Sequence, residues 1–224
     1  MKQLWHKCYS CLAAALLTAT VLVVVSGLLV GCTQGEEDSG GYVPPYITDL
    51  MVVNTDFDGR LVTVVLDDGS IYDVAAQQLQ TKAINEKVRC RGTYTLSEGE
   101  MELHGLAAIF SSGPVAAESF VLTVDGKEYG GVEYLPRDPV KVISMWKSGG
   151  YINLHLGVMT SGEGVHQYAF CKEAPGHYSL VHLRPLSDKE SYTEQVYMSM
   201  PIPEGVDELT FSVHTYDGIC TRTF

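Results

Sequence analysis

The sequence is short of basic residues. It contains 15 lysines and arginines against 27 aspartates and glutamates, which gives a formal net charge of −12. Nucleic-acid binding depends on clustered positive charge, and this balance therefore argues against nucleic acid as a partner. The same negative charge would repel the anionic headgroups of a membrane surface.

Motifs for catalysis and for metal binding are also missing. No HExxH or HxH pattern and no GxSxG nucleophile elbow occurs in the chain. The glycine-rich stretches lie between predicted strands rather than before a helix, which argues against a phosphate-binding loop. The acidic pair Asp67-Asp68 precedes Gly69 and is explained by a hairpin turn. We therefore expect no enzyme activity, no catalytic residue, no cofactor and no metal.

Histidines and cysteines are present but scattered. The histidines after the N-terminal segment are His104, His155, His166, His177, His182 and His214. The closest two, His177 and His182, are five residues apart and would lie on opposite faces of a strand. We expect them to be separate surface or half-buried residues. Cys90, Cys171 and Cys220 have no CxxC spacing, and we expect small buried apolar side chains, with Cys171–Cys220 the pair to bond if any bridge forms.

An export segment occupies the N-terminus. Lys2 and Lys7 precede an uncharged run from Cys11 to Val30, and Leu29-Val30-Gly31-Cys32 then has the pattern of a bacterial lipobox. This predicts a signal peptide over residues 1–31 and a diacylglycerol on Cys32, which would hold the protein at the membrane. The apolar run approaches the ~20 residues that span a bilayer, so an uncleaved transmembrane anchor is the alternative.

The residues after Cys32 form a predicted tether over residues 32–47, acidic first and then rich in glycine and proline. The trio Glu36, Glu37 and Asp38 resembles the surface-export signal of Bacteroidota lipoproteins, although a solvated linker would have the same composition. We expect a lipid anchor in the outer membrane, with the body on the periplasmic or cell-surface side.

The body of the chain has strand patterns almost throughout. Five are predicted before residue 112, over Leu50–Phe57, Leu61–Leu66, Ile71–Val74, Val88–Leu96 and Met101–Phe110. Asp58-Gly59 and Asp68-Gly69 are hairpin signals between them, and Ala75–Ile84 suits a short helix or crossover. A five-stranded OB-like barrel has this count, and a small open sheet is the alternative.

The second half is predicted to be a β-sandwich. Seven short strands are expected, over Val140–Trp146, Tyr151–Thr160, Gln167–Lys172, Tyr178–Leu183, Gln195–Met200, Glu208–Tyr216 and Ile219–Phe224. Val115–Pro139 is weakly patterned and could add a hairpin at Asp125-Gly126. The predicted fold class is all-β, with an OB-like five-stranded barrel over residues 48–112 followed by an antiparallel β-sandwich over residues 113–224.

This arrangement resembles the NigD-like lipoproteins of Bacteroidota. The phrases that carry the resemblance are Asp138–Trp146, Gly149–Leu154 and the strand Val213–Tyr216. The resemblance implies an N-terminal OB-like domain and a C-terminal β-sandwich. It also implies an accessory or immunity role related to a bacteriocin, and no catalytic residues. The expected function is an envelope lipoprotein that binds an unknown envelope protein.

A surface glycan-binding module is the alternative function. Tyrosines stack well on sugar rings, and both predicted folds often bind oligosaccharides. The tyrosines that could form such a face are Tyr42, Tyr46, Tyr129, Tyr134, Tyr151 and Tyr168, with Trp146 expected mainly as a core or sheet-edge anchor. Tyrosine is also a favoured strand residue for packing reasons alone.

Overall fold

The structure, a computed structural model, describes residues 45–74, 83–97, 99–124, 127–131 and 134–224. These residues form sixteen strands and one short 3-10 turn. Cys32, Glu36, Glu37, Asp38 and Tyr42, with the predicted signal peptide and most of the tether, lie outside the described residues, as does most of the predicted crossover at residues 75–84. No helix among the described residues is long and apolar enough to span a membrane.

The first five strands form one antiparallel sheet, the N-terminal sheet. The strands are β1 (Ile47–Thr55), β2 (Leu61–Leu66), β3 (Ile71–Asp73), β4 (Lys87–Ser97) and β5 (Glu100–Ala108). Their order is β3-β2-β1-β4-β5, and a parallel bridge between Val74 and Met101 joins the two outer strands at one point. The sheet is therefore curled into a half-barrel with the strand order of an OB fold, as predicted.

Alternating apolar residues give the N-terminal sheet its own small core. The buried side chains are Met51, Val53, Leu61, Val64, Cys90, Tyr94 and Met101. Gly69 has a φ of 89°, which confirms the Asp-Gly turn expected between β2 and β3. In that turn the carboxylate of Asp68 accepts a hydrogen bond from the backbone N–H of Ser70 at 2.8 Å.

Two further sheets form the sandwich. Their strands are β6 (Phe110–Ser111), β7 (Val115–Ala116), β10 (Lys141–Ser148), β11 (Tyr151–Thr160), β12 (Gln167–Ala174), β13 (His177–Leu183), β14 (Tyr192–Pro201), β15 (Thr210–Thr215) and β16 (Gly218–Thr223). The first sheet has the order β10-β11-β14-β6 and the second the order β16-β15-β13-β12-β7. The inner faces bury a core that includes Ile152, Leu154, Phe170, Met198 and Phe211.

The sandwich is not purely antiparallel, which differs from the expectation. β6 pairs with β14, β7 with β12 and β13 with β15 in parallel. The chain crosses from one sheet to the other between β6 and β7 and adds a two-residue strand to each sheet. β13 and β15 are parallel because the chain passes through β14 in the other sheet between them. The boundary predicted at residue 112 falls within this crossing and remains a prediction.

The weakly patterned segment before β10 forms a small third layer. A 3-10 turn (Ala117–Ser119) leads into a hairpin of β8 (Val121–Val124) and β9 (Lys127–Gly130), as the sequence suggested. Ala117, Phe120, Leu135, Cys171 and Val181 are buried together beneath it. The segment therefore covers one side of the β12-β13 pair.

Candidate functional site: the junction between the two sheets and its cleft

A buried arginine connects the N-terminal sheet to the sandwich. Arg89 lies on β4, and its side chain is only 3% exposed. Its Nη1 donates to Oδ1 of Asp67 at 2.5 Å and its Nη2 donates to Oδ2 of Asp67 at 2.8 Å. A bidentate pair of this kind is the strongest geometry available to arginine and carboxylate.

Side chains of the sandwich complete the surroundings of Arg89. Its Nη2 also donates to Oδ1 of Asn153 at 3.1 Å, and its Nε donates to Oγ of Ser199 at 3.2 Å. The guanidinium lies 4.2 Å from the ring centroid of Tyr151, a cation–π contact. A buried charge is tolerated only when it is paired and hydrogen-bonded, and these partners meet that requirement.

Further hydrogen bonds hold the partners of Arg89 in place. Ser148 donates from Oγ to Oδ2 of Asp67 at 2.6 Å, and Asn153 donates from Nδ2 to the Ser148 oxygen at 2.9 Å. Ser199 donates from Oγ to Oδ1 of Asn153 at 2.6 Å. We call Asp67, Arg89, Ser148, Tyr151, Asn153 and Ser199 the junction network. It holds the N-terminal sheet against the outer face of the β10-β11-β14 sheet.

A cleft of about 430 Å³ lies beside the junction network. Its polar and aromatic lining includes Asp49, Asp67, Asp68, Arg91, Trp146 and Tyr197. We call it the junction cleft. Its volume is within the ~300–1,000 Å³ typical of small-ligand sites. Asp67 therefore serves both the buried ion pair and the wall of a cleft, a role that the turn explanation of Asp67-Asp68 missed.

Two residues of the cleft lining, Arg91 and Tyr197, belong to a stack of three side chains. The guanidinium of Arg91 lies 4.8 Å from the ring centroid of Tyr197. Tyr197 in turn stacks on His155, with 4.2 Å between ring centroids and an angle of 11° between the planes. Arg91 packs on Tyr197 and Tyr197 packs on His155, so these contacts restrict the motion of the Arg91 guanidinium although the side chain is exposed.

A second polar cluster lies in the sandwich near the β12-β13 pair. His166 Nδ1 is 2.8 Å from His182 Nε2, and His166 Nε2 is 2.7 Å from Oδ2 of Asp188. His182 Nδ1 is 2.9 Å from the backbone oxygen of Asp138. Tyr168 stacks on His182, with 5.0 Å between centroids. We call His166, His182 and Asp188 the histidine cluster.

The hydrogen bonds assign the protons in this cluster. A carbonyl oxygen only accepts, so His182 carries its proton on Nδ1 and accepts at Nε2 from Nδ1 of His166. Burial lowers the pKa of His182, which favours this neutral form. Burial opposes ionisation of Asp188, but hydrogen bonds from Ser161 and His166 outweigh it and hold the pKa of Asp188 well below its usual range. Asp188 is therefore an ionised carboxylate that accepts a hydrogen bond from Nε2 of His166.

The sequence did not predict this convergence. His166 and His182 were expected to be separate residues, and the structure places them in contact, which corrects that expectation. The signal was available in part, because His166, Tyr168 and His182 flank the Pro175-Gly176 pair, a typical turn sequence. Their pairing needed the register of the hairpin, and the register shifts at a bulge between Lys172 and Ala174.

The cysteines are unpaired in the structure. Cys90 and Cys171 are buried and Cys220 is half-buried, and all three are free. The candidate bridge Cys171–Cys220 is therefore not formed, because Cys171 packs under the β8-β9 hairpin while Cys220 lies on the edge strand β16. Burial raises the pKa of both Cys90 and Cys171 to about 11, so neither is a reactive thiolate at neutral pH.

The candidate glycan-binding tyrosines lie on different elements. Tyr151 covers Arg89, and Tyr168 is stacked on His182. Tyr46 packs edge-on against His104, and Tyr134 is exposed in the loop after β9. These four tyrosines do not form a common face in the part of the chain that the structure describes, whereas Trp146 does line a cleft. Within the ranges that the structure covers, no three His, Cys, Asp or Glu side chains are arranged to hold a metal ion.

This architecture, a curled half-barrel fixed to a β-sandwich, also occurs in solved structures. A NigD-like immunity protein from Bacteroides caccae superposes with a TM-score of 0.62 at 23% identity, covering 81% of this chain and 94% of that chain. A toxin-related protein from Parabacteroides distasonis gives 0.62 at 16% identity over 80% and 92%. A protein assigned as a lipoprotein from Bacteroides fragilis gives 0.51 at 10% identity over 81% and 96%.

The chain therefore has the fold of the NigD-like proteins, which confirms the fold that the resemblance in the sequence implied. No protein-family model matches the sequence, and no curated protein matches it significantly.

Proposed function

We propose that this chain is a lipoprotein of the bacterial outer membrane, anchored through a diacylglycerol on Cys32. The support is the lipobox Leu29–Cys32 after an uncharged apolar run, together with a structural neighbour that is itself assigned as a lipoprotein. Two acyl chains, at ~0.8 kcal/mol for each buried CH₂, anchor a protein stably. The acidic trio Glu36, Glu37 and Asp38 would then direct the body to the cell surface.

Metabolic labelling tests the anchor. Cells that express the intact chain should incorporate a fatty-acid probe into it, and the protein should fractionate with the outer membrane. The variant Cys32→Ser should take up no probe. Unlabelled wild-type protein with an intact Met1 would instead indicate the uncleaved transmembrane anchor. For the export signal, replacing Glu36, Glu37 and Asp38 by alanine should protect the body from protease added to whole cells.

The body of the protein acts, in this proposal, by binding another envelope protein, without catalysis and without a cofactor. The observation that carries it is the fold shared with a NigD-like immunity protein over 81% of this chain. The junction network supports it, because a body whose two parts are fixed together presents one stable surface to a partner. Protection against a bacteriocin is the specific form of this function.

Bacteriocin sensitivity tests this function directly. Culture supernatants from related Bacteroidota strains are spotted on cells that lack the gene, on complemented cells, and on cells that carry Cys32→Ser. Loss of the gene should raise sensitivity to at least one supernatant, and only the lipidated protein should restore protection. Equal sensitivity of all three strains would rule out the immunity role.

A glycan-binding function is the second candidate. One observation favours it, namely that the junction cleft combines the indole of Trp146 with carboxylate and guanidinium groups. Aromatic faces and hydrogen-bonding side chains of this kind suit the two faces of a sugar ring.

A further inference from the structure

The junction cleft contains hydrogen-bonding groups that the fold itself does not use. Asp49 accepts a hydrogen bond from the hydroxyl of Tyr94 through Oδ2 at 2.8 Å, and its Oδ1 has no partner among the described residues. Arg91 has its cation–π contact with Tyr197 and, in the described parts of the chain, no carboxylate partner. The cleft therefore offers carboxylate acceptors and the guanidinium donors of Arg91 to a ligand.

An aromatic side chain lies close to these groups. Trp146 is half-buried on the outer face of the sandwich, directly opposite Asn153 of the junction network in the β10-β11 pair. Its indole stacks on no other ring within the described ranges, unlike Tyr197, which is engaged by both Arg91 and His155. Trp146 can therefore stack on a ligand without first leaving another partner.

The walls of the cleft are fixed in advance. Asp67 is held by Arg89 and Ser148, so the β2-β3 turn that carries Asp67 and Asp68 is tied to β10 on the opposite wall. Preorganised groups lose little freedom when a ligand binds, which favours affinity for small polar molecules. The cleft is therefore a preformed site, because hydrogen bonds hold its two walls together.

The charges in the cleft indicate the class of ligand. Asp67 is neutralised by Arg89, which leaves the carboxylates of Asp49 and Asp68 against the single guanidinium of Arg91. The chain as a whole carries a net charge of −12. An anionic ligand is disfavoured by both the local and the overall charge. A neutral ring with an apolar C–H face and hydroxyl edges matches the indole, the carboxylates and the guanidinium together.

We propose that the junction cleft binds a short neutral oligosaccharide, with one sugar ring stacked on Trp146 and its hydroxyls bound by Asp49 and Arg91. The proposal rests on the second candidate function, glycan binding, and assigns its site. It is independent of the protein partner, which would use other surfaces of the body.

Tryptophan fluorescence offers a local readout. The chain has two tryptophans, Trp5 and Trp146, and Trp5 lies in the predicted signal peptide. The lipoprotein is purified from envelopes in detergent and titrated with maltoheptaose, cellohexaose and mannohexaose, with trigalacturonate as the acidic comparison. At least one neutral sugar should change the emission of Trp146, and calorimetry should give the same affinity. If trigalacturonate were the only sugar of the panel to bind, the proposal that the ligand is a neutral oligosaccharide would be wrong.

Variants assign the binding to the cleft. By calorimetry, Trp146→Ala should weaken the sugar by about tenfold, and Trp146→Phe should restore most of that loss. Arg91→Ala should weaken it by about fivefold. The control Tyr192→Ala removes an exposed aromatic on β14 that does not line the cleft, and it should bind as the wild type does. Circular dichroism confirms that each variant is folded.

The outcomes separate the site from the function. Sugar binding that survives both Trp146→Ala and Arg91→Ala would overturn the cleft and leave glycan binding itself intact. Failure of the wild type to bind any sugar of the panel would overturn both. Loss of binding in the two cleft variants, with Tyr192→Ala unchanged, would establish the site.

Discussion

The junction network and the histidine cluster are both buried polar assemblies, but they differ in what they connect and in how they carry charge. The junction network joins β4 and the β2-β3 turn to the sandwich and is centred on Arg89, whose charge is permanent. The histidine cluster joins residues of the sandwich alone and depends on a proton shared between two imidazoles. One cluster is therefore insensitive to pH near neutrality, and the other should respond to acid.

The largest effect expected from this comparison is loss of the Arg89 charge. Arg89→Met keeps an unbranched apolar stem but leaves Asp67 without its cation and removes the hydrogen bonds that Arg89 donates to Asn153 and Ser199. Removing one partner of a buried pair costs about 3–5 kcal/mol, so the free energy of unfolding in urea should fall by this amount. Arg91→Met, which alters an exposed arginine, should change stability by less than about 1 kcal/mol. Equal effects would mean that the network does not stabilise the junction.

A substitution in the histidine cluster should cause the next largest loss of stability. His166→Gln keeps one hydrogen bond at most and deprives Oδ2 of the buried Asp188 carboxylate of the hydrogen bond from His166. Leaving a buried polar group unsatisfied costs about 1–3 kcal/mol. The matched control is His155→Gln, at a half-buried histidine that bonds Gln195 at its exposed end, where we expect about 0.5 kcal/mol or less. Thermal unfolding of both variants measures the difference.

Two adjacent glycines sharpen the test of the junction. A Cβ on Gly149 would lie within 2.9 Å of the backbone of Asp67, whereas a Cβ on Gly150 would meet nothing within 4 Å. Both residues have positive φ, so alanine at either position costs about 1–2 kcal/mol of backbone strain. Gly149→Ala should be the more destabilising by about 1 kcal/mol or more, because it also displaces Asp67 from Arg89. The reverse order in urea unfolding would contradict the close approach.

A change of pH near neutrality should have the smallest effect on the free energy of unfolding. The pKa of His182 is lowered from its ordinary 6.5 by burial, so the unfolded chain binds the proton first. The free energy of unfolding should therefore fall as the pH drops below about 6.5, because the unfolded chain then binds more protons than the folded protein. His214, whose pKa burial also lowers, acts in the same direction. Around His182 the other charged groups are His166, Asp138 and Arg184.

A second loss of stability should follow at lower pH. Asp188 has a lowered pKa, so its contribution is present above 3.8 and is lost as the pH falls through its value in the folded protein. Unfolding measured across the acid range should show both steps in the wild type. His182→Gln should reduce the first step and Arg89→Met should leave it unchanged. A first step that persists in full in His182→Gln would assign it to other groups.

Much of the fold followed from local pattern. The β-branched run over Leu61–Leu66 and the turn at Gly69 are set by residues within a few positions of one another, and the structure has a strand and a turn there. The candidate site was harder to predict from the sequence. Asp67 looked like a turn residue because its partner Arg89 is 22 residues away and the cleft beside them requires the sandwich as its second wall.

The sequence alone determined which segments are strands and which residues turn the chain, because a period of two and a glycine at positive φ are local properties. Only the tertiary structure decided which strands face each other. The bulge between Lys172 and Ala174 shows why, since a slip of one residue in β12 would move Tyr168 to the face opposite His182. Register is set by packing over the whole sheet, and the junction network and the histidine cluster both depend on it.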